Sequence, residues 1–154
     1  MTQGIITNNL KEVLNNKERL RKELGIKITN KGRIILIEGA PENEYLGLKI
    51  LEAVNLGFSI EKALLLKDEE VIFHVINIKD ITRRKDLVHI RARIIGTEGK
   101  TKKNIENLSD CLVSMHNNQV GIIGEAGCIE EAIIAMKSLI QGSKQGNVYA
   151  RLER

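Results

Sequence analysis

The 154-residue chain holds two Tyr, two Phe and no Trp, so aromatic residues make up only 3% of it. That weighs against an RNA platform that stacks bases on exposed rings. Its two cysteines, Cys111 and Cys128, lie 17 residues apart, a spacing that fits neither a disulfide scaffold nor a zinc knuckle. The expectation is a reducing, cytoplasmic setting. No stretch approaches the roughly 20 apolar residues of a membrane span. The segment from Met1 to Gly4 lacks the basic cluster and apolar run of a signal peptide, so neither a leader nor a membrane partner is expected. His74, His89 and His116 lack metal-ligand spacing such as i, i+4 on one helix, and no metal or other cofactor is expected. No nucleophile motif stands out, and the Glu130-Glu131 pair reads as an ordinary acidic helix start. A non-enzymatic protein is expected, although sequence order leaves a spatial triad open.

What is present is a globular composition, 42% hydrophobic and 29% charged, of a length that allows one ordinary domain or two very small ones. The net charge of +4 is unevenly placed. Between Ile81 and Lys103 stand eight basic residues against Asp86 and Glu98, a local +6 that leaves −2 for the rest. A confined basic segment points to a polyanion site, although charge alone also fits a solvated helix. The segment 40–70 is the reverse, with seven acids against three lysines. This contrast points to one part meeting protein and the other nucleic acid, unless the acids merely solubilise helices.

Shifted by 85 residues, the sequence falls on itself. Ile26 and Ile28 meet Cys111 and Val113; Ile35, Ile37 and Gly39 meet Val120, Ile122 and Gly124. Leu20 meets Ile105, and Leu48 and Leu51 meet Ile133 and Met136, with no gap. This register predicts two copies of one small unit, 1–70 and 71–154. Each copy reads as a helix (17–24 or 100–108), a strand (26–29 or 112–115), a tight turn at Asn30-Lys31-Gly32 or Asn117-Asn118, a strand (33–38 or 119–123) and a longer helix after Pro41 or near Gly127. A β-branched strand, 71–78, precedes the second copy. The first copy has only Gly4–Thr7 there, so that strand is expected to be short or missing. The unit is β-α-α-β-β-α: an α+β fold with a three-stranded antiparallel sheet and helices on one face.

Within the basic segment, Arg91-Ala92-Arg93-Ile94-Ile95 runs into Gly96-Thr97-Glu98-Gly99 and then Lys100-Thr101-Lys102-Lys103. Three readings compete. Gly99-Lys100-Thr101 matches the end of the phosphate loop of nucleotide hydrolases, but Ile94 stands where its first glycine belongs. A plain helix-to-helix turn explains two glycines. The third reading is the G-x-x-G loop of a KH domain, where glycines let an RNA backbone approach and helix N-terminal amides face phosphates. The same 85-residue shift lays this loop on Lys11-Glu12-Val13-Leu14, which has no glycine, so the first copy is expected not to bind RNA in that way.

Three phrases carry a closer resemblance: Gly57-Phe58-Ser59-Ile60-Glu61-Lys62-Ala63-Leu64; Arg93 to Thr101 with Ile105-Glu106; and Gly142-Ser143 with Gly146, Val148-Tyr149 and Leu152. In these the chain resembles archaeal two-KH-domain ribosome-assembly proteins of the partner-of-Nob family. The resemblance implies two type I KH domains, the second binding single-stranded RNA near the 3′ end of small-subunit ribosomal RNA during processing. It also implies as partners the Nob endonuclease, the ribosomal RNA adenosine dimethyltransferase and the alpha subunit of translation initiation factor two. The candidate RNA-binding residues are Arg91, Arg93, Ile95, Gly96, Thr97, Glu98, Gly99, Lys100, Thr101, Lys102 and Lys103 on the loop side. Leu112, Val113 and Ser114 are the candidates on the strand that would form the far wall.

Overall fold

The computed structural model describes residues 2–153. The chain divides into two units, Met1–Asp68 and Glu69–Arg154.

In the first unit, β1 (Thr2–Ile6) leads to α1 (Leu10–Asn15) and α2 (Lys17–Leu24). These are followed by β2 (Lys27–Lys31), β3 (Ile34–Glu38), α3 (Pro41–Asn55), the short α4 (Ile60–Ala63) and a 3-10 turn, Leu64–Lys67. The sheet order is β1-β3-β2, antiparallel throughout. Strand alternation sets its faces: Ile28, Ile35 and Ile37 are buried, whereas Ile34 and Glu38 are exposed. Pro41 opens α3 at a position where its missing N–H costs no helical bond. Gly47 then lets α3 lie close on the sheet, since a Cβ there would sit 3.0 Å from Cδ1 of Ile26. Ile50, Leu51 and Val54 complete the buried face of α3.

The first strand, expected to be short or missing, is present. Its five residues pair with β3 from Thr2↔Glu38 to Ile6↔Ile34. The sequence hides it because Gly4 sits at its centre and only Ile5 and Ile6 are apolar.

The second unit begins with β4 (Val71–Asn77), α5 (Ile78–Ile81) and α6 (Leu87–Ile95). A 3-10 turn at Thr97–Gly99 leads into α7 (Lys100–Ser109). Then come β5 (Leu112–His116), β6 (Gln119–Glu125), α8 (Ala126–Ile140) and α9 (Gln145–Leu152). The sheet order is β4-β6-β5, so β5 is an edge strand. One core joins Ile76, Val113, Val120 and Ile122 of the sheet to Ile90 and Ile94 of α6, Ile105 of α7, the α8 face through Met136 and Leu139, and Val148 of α9.

The 85-residue register holds in the backbone itself. It maps β2 onto β5, α3 onto α8, and α4 with its 3-10 turn onto α9. Positive-φ residues recur at the same offset: Gly25 and Asp110, Gly32 and Asn117, Gly57 and Gly142. The helix ends repeat too. Gly57 N donates to Val54 O and Phe58 N to Ala53 O; Gly142 N donates to Leu139 O and Ser143 N to Ser138 O. This is a Schellman-type termination in both units.

The register breaks upstream. Thr2 pairs with Glu38 while Phe73 pairs with Ile123, so the first strands are offset by 71 and, by matched positions, the second unit carries 14 more residues between its first strand and α7, the counterpart of α2. The gapless shift therefore does not extend to residues 11–14, which lie inside α1. There the short connection is tied down locally. Asn55 Nδ2 donates to Ile6 O at 2.9 Å, and Ile60 N donates to Glu12 Oε1 at 3.0 Å. Asn16 Nδ2 donates to Glu12 O at 2.8 Å where α1 turns into α2.

Candidate nucleic-acid interface

The glycine turn joins α6 to α7, and each glycine is there for a different reason. Gly96 ends α6 with φ 77° and ψ 172°, a region essentially reserved for glycine. A Cβ built on it would lie 2.7 Å from both N and Cβ of Thr101, and closer still to Oγ1. Thr101 is buried beneath it. Gly99 has φ 77° and ψ 13°, but nothing lies within 4 Å of where its Cβ would be. Between them Thr97 and Glu98 are exposed, and Glu98 itself is left-handed at φ 56°. The first glycine serves close packing; the second leaves open space beside the start of α7.

No side chain caps the N-terminus of α7. Lys100 N–H donates to Thr97 O of the preceding 3-10 turn, and the N–H groups that follow it in the first turn carry the positive end of the helix dipole. Lys100 and Lys103 are exposed there, and Lys102 is half-buried. Approaching the turn along α6, Val88, Arg91, Ala92 and Ile95 share one face by helical spacing. Val88 is 72% and Ile95 41% exposed, while Ile90 and Ile94 on the other face are in the core. An apolar strip thus leads to an uncapped, lysine-rich helix start.

Across from α7 runs the open edge of β5. Leu112 and Ser114 are half-buried, but the Val113 side chain points into the core, so only its backbone is available at the edge. Glu106 spans the two walls: its Oε2 accepts from Val113 N at 2.9 Å, and its Oε1 lies 3.7 Å from Lys102 Nζ.

Of the two candidate arginines, Arg91 Nη1 donates to Asn118 Oδ1 in the β5–β6 turn. Arg93 faces the other way. Its Nη1 donates to Leu139 O at 2.9 Å and its Nη2 to Ser143 O, so it ties α6 to the end of α8. Neither arginine pairs with Asp86. Arg84 does, at 2.7 Å, and its hydrogen bond holds the Asp86 carboxyl below the usual carboxylate range. Thr101 likewise serves packing with its side chain. Hydrogen bonds and an ion pair thus link Arg91 to the β5–β6 turn and Lys102, through Glu106, to the β5 edge; Lys100 and Lys103 stand beside the glycine turn, and Arg93 is bonded instead to the end of α8.

Sequence reading missed Val88, Ala92 and Glu106. Val88 and Ala92 belong to no motif, and Glu106 stands at ordinary i, i+4 spacing from Lys102. The phosphate-loop alternative also meets its geometry here. That loop follows a strand, whereas this turn follows α6, and the Thr101 hydroxyl is packed against Gly96.

Residues 72–154 match the model of the eukaryotic-type KH domain (KH-domain type I), in its PNO1 second-domain form. The chain belongs to the PNO1-type KH-domain family. Three similar proteins place it further. It is 32% identical over 147 residues to a KH domain-containing protein of Methanocaldococcus jannaschii, covering 91% of this chain and 65% of that protein. It is 38% identical over 109 residues to the pre-rRNA-processing protein pno1 of Schizosaccharomyces pombe, covering 69% of this chain and 45% of that one. The chain thus spans about two thirds of the first relative and under half of the second. Among solved structures, aDim2p of Pyrococcus horikoshii, crystallised in a complex with a/eIF2alpha and rRNA, superposes with a TM-score of 0.89 at 30% identity. That superposition covers 100% of this chain and 93% of aDim2p. Among the described residues no helix is long and apolar enough to cross a membrane.

Proposed function

We propose that this chain is a non-enzymatic, single-stranded RNA-binding factor of small-subunit ribosome assembly. Its second unit binds the 3′ region of the ribosomal RNA during pre-rRNA processing. The observation that carries this is the open space over Gly99 beside the uncapped, lysine-lined start of α7. A phosphate backbone fits there against N–H groups and positive charge, with no side chain in its way. The apolar strip of α6 and the β5 edge supply the surfaces for bases. Gly96, Thr97, Glu98, Gly99, Lys100, Lys102 and Lys103 contact the backbone. Ile95, Arg91, Leu112, Ser114 and the Val113 backbone flank the bases.

The first unit is a KH-like unit that has lost the loop. The same order of strands is kept, but α1 runs into α2 with no glycine, and Val13 is buried where the connection folds in. It serves protein contacts instead, with the alpha subunit of initiation factor two the partner favoured by the aDim2p complex. The Nob endonuclease and the adenosine dimethyltransferase remain partners implied by the resemblance alone, and the place of action is the cytoplasm. The other reading is a protein-only adaptor whose turn is structural.

The double substitution Thr97→Asp with Glu98→Asp separates the two. Both side chains are exposed, so stability should change by no more than about 0.5 kcal/mol. A second carboxylate at the tip repels the phosphate, so fluorescence anisotropy with a short single-stranded RNA should show binding lost. A variant that melts normally and binds like the parent makes the turn structural and the adaptor reading correct.

A further inference from the structure

Resting on the RNA-binding reading above, we infer that Glu106 is a specificity-determining residue that selects guanine for the nucleotide lying over Val113. A carboxylate at the centre of an anion-binding surface demands a reason. It stands within reach of the lysines that would hold phosphates, and it repels them. Its fold role is to accept the Val113 N–H, and a glutamine oxygen would do that equally well.

The edge geometry supplies the reason. β5 pairs with β6 on one side only, and Val113 lies opposite Ile122. Because Val113 N donates to Glu106, this is a pair whose backbone groups point away from the partner strand, so the Val113 carbonyl points the same way. The N–H is the one donor the strand offers at that level, and Glu106 occupies it. A base arriving there meets acceptors: the remaining lone pairs of the carboxylate and the Val113 carbonyl. The carboxylate is only 17% exposed and is held at both oxygens, so its orientation is fixed before RNA arrives.

Base chemistry then discriminates. Guanine presents two adjacent donors, N1–H and the N2 amino group, which a carboxylate accepts side by side in a charge-assisted pair. Adenine and cytosine place a ring acceptor beside their amino group, and uracil flanks its single N–H with two carbonyl oxygens. All three set a lone pair against the carboxylate. Lys102 offsets the charge enough for the RNA backbone to stay close.

The test is selection from a random single-stranded RNA heptamer pool by the full chain and by its Glu106→Gln variant, with the bound fraction sequenced. The parent should enrich guanosine at one position. Glu106→Gln keeps an oxygen for Val113 N–H and should lose that preference by about tenfold or more while still binding RNA. In the selected heptamer, inosine at that position, which lacks the N2 amino group, should weaken the parent by a similar factor and leave Glu106→Gln unmoved. Lys102→Met, which keeps the carboxylate and its bond to Val113, should lower affinity and retain the preference. The inference is overturned by a parent with no guanosine position, by a Glu106→Gln variant that keeps its preference, or by loss of that preference in Lys102→Met. A parent that enriches no RNA at all is a different result: it overturns the RNA-binding function itself.

Discussion

Gly96 and Thr101 are packed so tightly that a single added carbon on Gly96 would fall 2.7 Å from the Thr101 backbone nitrogen. Gly99, three residues on, faces empty space. The two glycines should therefore separate in mutagenesis. Gly96→Ala combines a glycine-only backbone region with a steric clash and should cost about 2–4 kcal/mol. Gly99→Ala meets only the left-handed penalty, about 1–2 kcal/mol. Its new methyl group would occupy the space assigned to phosphate, so it should lose more RNA affinity per unit of stability lost. Denaturant unfolding and RNA titration of the same variants read both quantities.

Arg93 should behave as a structural residue. Arg93→Met removes the donors to Leu139 O and Ser143 O and should cost about 1.5–3 kcal/mol of stability. RNA affinity, measured well below the melting temperature, should change less than twofold. A large affinity loss in a variant with unchanged melting would return Arg93 to the RNA surface.

Salt gives the number of phosphates. With roughly three to five neutralised, log affinity against log salt should slope at roughly −2 to −3.5 for single-stranded RNA. Lys100→Met and Lys103→Met should each flatten that slope by about 0.7. The Lys102→Met step should be smaller, because its ammonium already faces Glu106. A slope near zero in the parent would remove the basic segment from the binding surface.

Val13 and Leu14, adjacent in α1, should respond unequally. Val13 is fully buried, and Val13→Asp strands a charge there at about 3–5 kcal/mol. Leu14 is 36% exposed, and Leu14→Asp should cost less than about 1 kcal/mol. RNA affinity should be unmoved in Leu14→Asp. Melting curves and anisotropy on the two variants make the comparison.

Cys111 is buried, and burial pushes its thiol up from the ordinary range. Unfolding releases a thiol that ionises more readily, so the fold loses stability as pH climbs past the ordinary thiol pKa and none on this account below it. The half-buried Cys128 should react with iodoacetamide in the native protein at pH 8, and Cys111 only on unfolding. Mass spectrometry of labelled peptides reads the order.

The parts legible in sequence were those governed by local chemistry. Asn117 and Gly32 mark the tight turns, Pro41 marks a helix start, and the alternation of Ile35 and Ile37 fixes which face of β3 is inward. What stayed hidden depends on partners far along the chain. Arg93 meets carbonyls 46 and 50 residues away, which no spacing rule announces. β1 is stabilised by pairing with β3 more than by its own composition, and the α9 helix contains Gly146, which weakens its helical signal. The gapless shift misled only where the second unit inserts its 14 extra residues, because apolar periodicity reports no chain length between elements.

That insertion falls in one connection. In both units the first strand is hydrogen-bonded to the last, and the turns, handed residues and helix ends that follow share a common spacing. The sheet is therefore indifferent to how far the chain wanders between its first strand and the helix before its second strand, α2 or α7. On the proposed RNA-binding reading, the turn that meets phosphate lies wholly within that excursion. Ten residues, 7–16, close the frame in one unit, and twenty-two, 78–99, carry the approach helix and glycine turn in the other, where α7 also starts two residues early in the common register.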